Sequence, residues 1–383
     1  MKPFSIPSKL PLVKTTIFTV MSKLATEQNA INLSQGFPEF QSDKKLIDLV
    51  SKAMNTRHNQ YAPMAGVFSL REKVCEKINN LYGSTYHPET EITITAGATQ
   101  AIFTIISAFI SLKDEVILFN PAYDCYEPAV VLNGGIPISI SLKTPEYKID
   151  WNEVQQKISS KTKMIIINSP HNPSGTILSK ADLYELQKLV KDTNILILSD
   201  EVYEHIIFDD KQHQSIALFP ELAARSFITA SFGKTFHNTG WKVGYCVAPK
   251  ELMVEFQKVH QFNVFCVNHP IQQALAIYLE NEKNYLGLAA FYQQKRDVFL
   301  EGIKNSRWEF IPASGSYFQL LSYKNITDEG DVAFAKRLTI EHKVASIPTS
   351  VFYTTNKNPK VLRFCFAKTE ETLKKATDIL SKL

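Results

Sequence analysis

Between about residue 90 and residue 250 the chain repeats one pattern: a short apolar run, a turn of small residues, then a longer amphipathic stretch. The runs are "EITIT", "EVILF", "KMIIIN", "ILILSD", "SFITAS" and "VGYCVA". Each is too short to be a helix, and most are apolar on both faces. Helix-period segments separate several of them. "GATQAIFTIISAFI" follows the first, and "SKADLYELQKLVKDT" opens on Ser179 as a candidate N-cap with Asp182 in its first turn. Apolar strands that alternate with helices indicate a mostly parallel sheet covered on both faces. The expected fold is therefore α/β. In such sheets ligands bind beyond the carboxyl ends of the strands.

The last hundred residues read differently. "NYLGLAAFYQQKRDVFLEGIKN" predicts a long helix, "GSYFQLL" and "VLRFCFA" predict strands, and "ETLKKATDILSKL" predicts a closing helix. This indicates a smaller α+β domain. The expected division is an N-terminal arm with part of the small domain over 1–42, a large domain over 43–285 and a small domain over 286–383.

Charge and composition exclude several classes. The 42 basic residues barely exceed the 38 acidic ones, and the net charge is +4. No cationic surplus points to nucleic acid. The most apolar run, "AIFTIISAFI", is about half a membrane span and reads as a buried helix. The opening "MKPFSIPSKLPLVKTT" has no apolar core of a signal peptide. Five widely spaced cysteines without a C-x-x-C pattern predict reduced thiols in a cytoplasmic protein.

The unusual residues fall at the ends of the runs. Gly97, Ala98 and Thr99 lead from a strand straight into a helix, where backbone N–H groups can cradle an anion. Tyr123 follows "EVILF" and can stack on a planar ligand, though a core tyrosine would read the same. "NSPHNPSG" (168–175) has two Asn-Pro or Ser-Pro style breaks and a Gly that force a defined loop around Asn172. Asp200 ends a buried apolar strand, a costly place for an acid without a cation or donors; a helix N-cap is the structural alternative. Ser231 and Lys234 follow "SFITA". A lysine there can be desolvated, leaving an amine free to form a Schiff base, while Lys242 can stay charged and neutralise an anion. Arg363 sits inside "VLRFCFA", and its planar fork suits a carboxylate. Together these groups form the set that pyridoxal phosphate requires: a phosphate cradle, a ring stack, donors to the phenolic oxygen, an acid for the ring nitrogen and an amine for the aldehyde.

The ordered series "INLSQGFPEF", "NQYAPMAGVFSLRE", "TITAGATQA", "YDCYEPAV", "NSPHNPSG", "SDEVYEH", "SFGKTFHNTGWKVGYCVAP" and "LRFCFAK" resembles the class I and II aminotransferases of fold type I over nearly the whole chain. The wording leans towards the branch of methionine aminotransferase, kynurenine aminotransferase and glutamine transaminase K. The resemblance implies a seven-stranded, mostly parallel sheet and a homodimer with shared active sites. It implies Lys234 as the Schiff-base lysine, Asp200 at the pyridine nitrogen, and Tyr203 and Asn172 at the phenolic oxygen. Gly97, Ala98, Thr99, Ser231 and Lys242 would hold phosphate, and Tyr123 would stack on the ring. Arg363 would take the substrate carboxylate, helped by the Gly36 backbone and Asn172. Tyr61 would reach the partner's phosphate, and Phe18 and Phe265 would shape the side-chain pocket, Phe265 from the partner. Lys242 stands where many relatives carry Arg, and Tyr123 where some carry Phe or Trp.

The implied reaction moves an amino group from an L-amino acid to a 2-oxo acid in a ping-pong cycle. No second arginine is evident for an acidic side chain, so methionine, aromatic or glutamine-like donors are expected over aspartate. A cysteine-S-conjugate β-lyase on the same fold is the nearest rival. A ligand sensor fused to a DNA-binding domain is disfavoured, because only about 30 residues precede the matching region. A purely structural α/β protein leaves Lys234, Asp200, Asn172 and Arg363 unexplained.

Overall fold

Alternate side chains of the apolar runs enter two different cores, so each run is buried on both faces. Ile117, Ile165, Ile197 and Ile228 pack on one side of a central sheet. Val116, Leu118, Met164, Ile166, Leu198 and Phe227 pack on the other. Period-2 alternation with both faces apolar is what a helix-covered parallel sheet demands. The computed structural model describes residues 6–11, 13–354 and 357–383. The first five residues of the N-terminal stretch read above lie outside the described residues, as does Leu12.

The sheet has seven strands: β1 (Ile92–Thr95), β2 (Glu115–Asn120), β3 (Ile136–Ser141), β4 (Thr162–Asn168), β5 (Leu196–Asp200), β6 (Ser226–Ser231) and β7 (Gly244–Val247). Their order is β1-β7-β6-β5-β4-β2-β3. β7 runs antiparallel to both neighbours; the other pairings are parallel. Edge strand β3, "IPISIS", was not among the runs singled out; it is only partly buried and carries Pro137, which an edge tolerates.

Register brings the chemistry to one edge. Asn168 lies opposite Asp200, and Asp200 opposite Thr229. Ser231 and Thr95 both lie opposite Gly244. Because β7 is reversed, its first residue, rather than its last, meets the carboxyl ends of the others. The segment just before it, with Lys242, is thereby delivered to that same edge.

The apolar run after β1 becomes the buried helix Ala98–Phe109. Helix Lys180–Val190 starts at Ser179, whose hydroxyl accepts from the Asp182 N–H while Asp182 Oδ2 accepts from the Ser179 N–H. That reciprocal cap matches the expectation.

The smaller sheet comprises β8 (Phe318–Ser322), β9 (Ile347–Pro348) and β10 (Val361–Cys365), antiparallel in the order β9-β10-β8. The expected single helix over 284–305 is two pieces, Lys283–Leu286 and Leu288–Ile303, parted at Gly287. The closing helix spans Glu370–Leu380. Ile31–Asn32 pairs in parallel with Val344–Ala345, so the N-terminal arm joins this part of the molecule.

Candidate active site

Thirteen of the fifteen residues singled out above line one cavity of about 260 Å³: Phe18, Gly36, Gly97, Ala98, Thr99, Tyr123, Asn172, Asp200, Tyr203, Ser231, Lys234, Lys242 and Arg363. It lies at the carboxyl edge of the sheet, between that sheet and the smaller one.

The anion end is built from backbone. Gly97 has φ +79° and ψ 170°, a region open essentially to glycine alone. It precedes helix Ala98–Phe109, and no side chain caps that helix. The free N–H groups and the helix field therefore face the cavity. A Cβ on Gly97 would lie 3.2 Å from the Lys242 Nζ, so the missing side chain leaves room beside that ammonium. Gly244 is needed for a different reason: a Cβ there would sit 2.4 Å from the Ala230 carbonyl and 3.2 Å from the Ala98 nitrogen. Ser231 begins a short helix without capping it.

The acid end is dry. Asp200 is 3% exposed. Its Oδ2 accepts from the Tyr126 hydroxyl at 2.6 Å, and Oδ1 accepts from the Val202 N–H at 3.3 Å. Burial pushes its carboxyl up to about 6, against the pull of those donors and of Lys234. Asp200 is followed by a turn and caps no helix, so the structural alternative for it falls away.

Lys234 enters from the short helix Phe232–Thr235. Its amine bonds the Tyr317 hydroxyl at 2.9 Å and the Gly36 carbonyl at 3.1 Å. Desolvation, helped by the charges of Arg363 and Lys242, lowers its proton affinity to a pKa of about 8. The ring of Tyr203 lies 5.7 Å below the amine.

Arg363 is 1% exposed on β10. Nη1 donates to Asn172 Oδ1 at 2.9 Å and Nη2 to the Ser34 carbonyl at 3.0 Å. Among the described residues its Nε has no partner. The guanidinium stacks 3.9 Å from the Phe318 ring, with Phe18 and Phe352 at 5.2 and 5.4 Å. Asn172 itself is pinned by its own N–H, which donates to Asn168 Oδ1. Because Asn172 Oδ1 faces Arg363, its amide nitrogen is left for another acceptor.

Tyr61 and Phe265 are not in the cavity. They meet each other edge-to-face at 5.2 Å and are 81% and 44% exposed. Two residues escaped the sequence reading: Tyr126 and Tyr317. Both lie inside quoted motifs, "YDCYEPAV" and "GSYFQLL", but nothing in either motif names their partners. Gln35, Asp124 and Phe318 also line the cavity.

The fold and this site define an enzyme of the aminotransferase type. The family model for aminotransferase class I and II matches residues 28–380, and the chain belongs to that family. The methionine aminotransferase of Escherichia coli K12 is 46% identical over 98% of both chains. The kynurenine–oxoglutarate transaminase of Dictyostelium discoideum is 35% identical over 96% of this chain and 94% of its own. The crystal structure of YbdL from Escherichia coli, identified as having a methionine aminotransferase function, superposes with a TM-score of 0.98 over the whole of both chains at 46% identity.

Proposed function

We propose that this chain is a pyridoxal-phosphate-dependent aminotransferase acting on amino acids with neutral side chains, methionine foremost. One observation carries the substrate class: the cavity's cations are Lys234, Lys242 and Arg363. Each has a task, and among the described residues none is left to meet a side-chain carboxylate. Asp124 at the same cavity opposes one. Phe18, Tyr123, Ile102 and Phe318 offer an apolar lining instead. The similarity to an enzyme named for methionine supports the same class.

The residues present fit the cofactor. The uncapped helix after Gly97, the space beside Lys242 and the Ser231 hydroxyl suit a phosphate. Bound pyridoxal phosphate supplies an electrophilic aldehyde and a ring that withdraws electrons from the substrate α-carbon. Asp200 holds a proton at the ring nitrogen, and Tyr203 with the Asn172 amide donates to the phenolic oxygen. Arg363 binds the α-carboxylate. Lys234 would take the proton from the substrate Cα and deliver it to the carbon that had been the cofactor's aldehyde, which is the proton shift that transamination requires. The apolar packing of Phe318, Phe18 and Phe352 around Arg363 excludes water from its guanidinium.

The exposed edge-to-face pair of Tyr61 and Phe265 supports a homodimer in which both complete the partner's cavity. The pairing of Ile31–Asn32 with Val344–Ala345 supports the division at 42 and 285. Five unpaired cysteines support a reducing, cytoplasmic setting, and among the described residues no helix is long and apolar enough to cross a membrane.

The test is the absorption spectrum of the protein with pyridoxal phosphate, before and after methionine is added without an oxo acid. A visible band that disappears with release of one 2-oxo acid per site is expected. Aspartate turning over faster than methionine would overturn the substrate class, and pyruvate with ammonia from cystathionine would favour the lyase chemistry.

A further inference from the structure

Three polar atoms close a triangle beside the cavity. Lys234 Nζ lies 2.9 Å from the Tyr317 hydroxyl and 3.1 Å from the Gly36 carbonyl, and that hydroxyl lies 2.5 Å from the same carbonyl. Valence assigns the hydrogens. A carbonyl only accepts, so the phenol's single hydrogen goes to Gly36. Burial holds the Tyr317 phenol well above its ordinary range, so it keeps that hydrogen. Only lone pairs remain on its oxygen, and Nζ must donate to both Tyr317 and Gly36. An uncharged amine has two N–H bonds and one lone pair. With both N–H bonds engaged, the lone pair is directed away from the two oxygens.

The tyrosine is held firmly enough to impose this geometry. It is fully buried. Its ring meets Tyr203 edge-on at 5.1 Å and Phe318 at 5.0 Å. Its carbonyl accepts from the Phe366 N–H. The preceding strap is tied to the Asn172 loop, since the N–H groups of Ser314 and Gly315 both donate to the Gly175 carbonyl, at 2.8 and 2.9 Å. One rigid piece of backbone therefore positions Tyr317 and braces the Asn172 loop.

We propose that Tyr317 is a positioning residue for Lys234: with the Gly36 carbonyl it engages both N–H bonds of the free amine and aims the lone pair at the reacting carbon. The proposal rests on the reading of Lys234 as the amine base.

The test is Tyr317→Phe, which removes only the hydroxyl. In cofactor-free protein, reductive methylation of Lys234 is followed by peptide mass spectrometry as a function of pH. The ammonium form loses an acceptor, so the midpoint is expected to move down by about half a unit or more. In the cofactor-loaded enzyme, kcat is expected to fall about tenfold or more while KM for methionine stays within about threefold. The primary isotope effect with α-deuterated methionine is expected to rise, because proton removal becomes slower. An unchanged methylation midpoint and isotope effect, with only a lower melting temperature, would overturn the proposal and leave Tyr317 a packing residue. The methylation arm needs no cofactor. Failure of the wild-type protein to transaminate would therefore sink the aminotransferase reading while the Tyr317 contact is still decided.

Discussion

The Tyr126 hydroxyl donates to Asp200 Oδ2 across 2.6 Å, and both residues are almost sealed from solvent. Two forces thus act on one carboxyl. Burial favours its neutral form; the phenol favours the anion that a ring nitrogen needs. Removing the phenol leaves burial to act alone. In Tyr126→Phe the carboxyl is expected to rise by about one unit, since a hydrogen bond to a charged group is worth about 1.5–3 kcal/mol. Activity at pH 6 should fall several-fold relative to activity at pH 8. A pH profile of kcat/KM checks this, and an unshifted acid limb would refute it.

Asp200 should also weaken the fold when no cofactor is bound. Its carboxyl is raised from 3.8 to about 6, so between those values the folded chain holds the proton more tightly than the unfolded one. Stability falls as pH climbs through that window. The loss above it corresponds to roughly 3 kcal/mol at 1.36 kcal/mol per unit. Asp200→Asn should therefore make the cofactor-free protein more stable at pH 8, with little gain at pH 4, while abolishing transamination. Denaturant midpoints at the two pH values test the sign.

Lys234→Ala removes the amine that the proposed mechanism uses twice. Turnover should drop by at least about 1000-fold, as expected for loss of a nucleophile and base. The protein should still bind pyridoxal phosphate through the phosphate cradle, without the lysine-dependent band. Near-normal activity in this variant would end the assignment.

Gly97→Ala tests the cradle. Alanine is disfavoured at φ +79° and ψ 170° by about 1–3 kcal/mol, and its Cβ would crowd Lys242 Nζ at 3.2 Å. Cofactor affinity should weaken by about tenfold or more, with saturating cofactor restoring much of the rate. Equilibrium titration of the cofactor-free variant measures this directly.

Arg363→Lys keeps the charge but loses the planar fork. Lysine cannot bond Asn172 Oδ1 and the Ser34 carbonyl while also facing a carboxylate in the same plane. The loss should appear mainly as a KM for methionine raised about 10- to 100-fold, for one or two charge-assisted bonds. An unchanged KM would place the substrate carboxylate elsewhere.

Much of the site could be read from the sequence because a parallel sheet collects the ends of its strands along one edge. Asn172, Asp200, Ser231 and Lys234 each follow an apolar run, so linear position predicted spatial neighbourhood. Lys242 joins them because β7 is reversed, which the apolar pattern alone does not announce. Tyr317 was not legible: its partners lie 83 and 281 positions away, and only tertiary packing chooses them. Tyr126 is 74 positions from Asp200 and reads locally as one more helix aromatic. Strand β3 was missed because it is an edge with a proline and a half-exposed pattern. Tyr61 and Phe265 carry an expectation about a second subunit, and one chain leaves both on its surface.

Arg363 reaches back across the molecule to the carbonyl of Ser34. A chain emerging from the ribosome can complete the seven-stranded sheet once residue 247 is out. It cannot place Arg363, the proposed carboxylate clamp, until more than a hundred further residues have been added, on the order of ten seconds of translation. The proposed phosphate cradle thus precedes the proposed carboxylate clamp during synthesis, and a chain cut short before β10 would carry the first without the second.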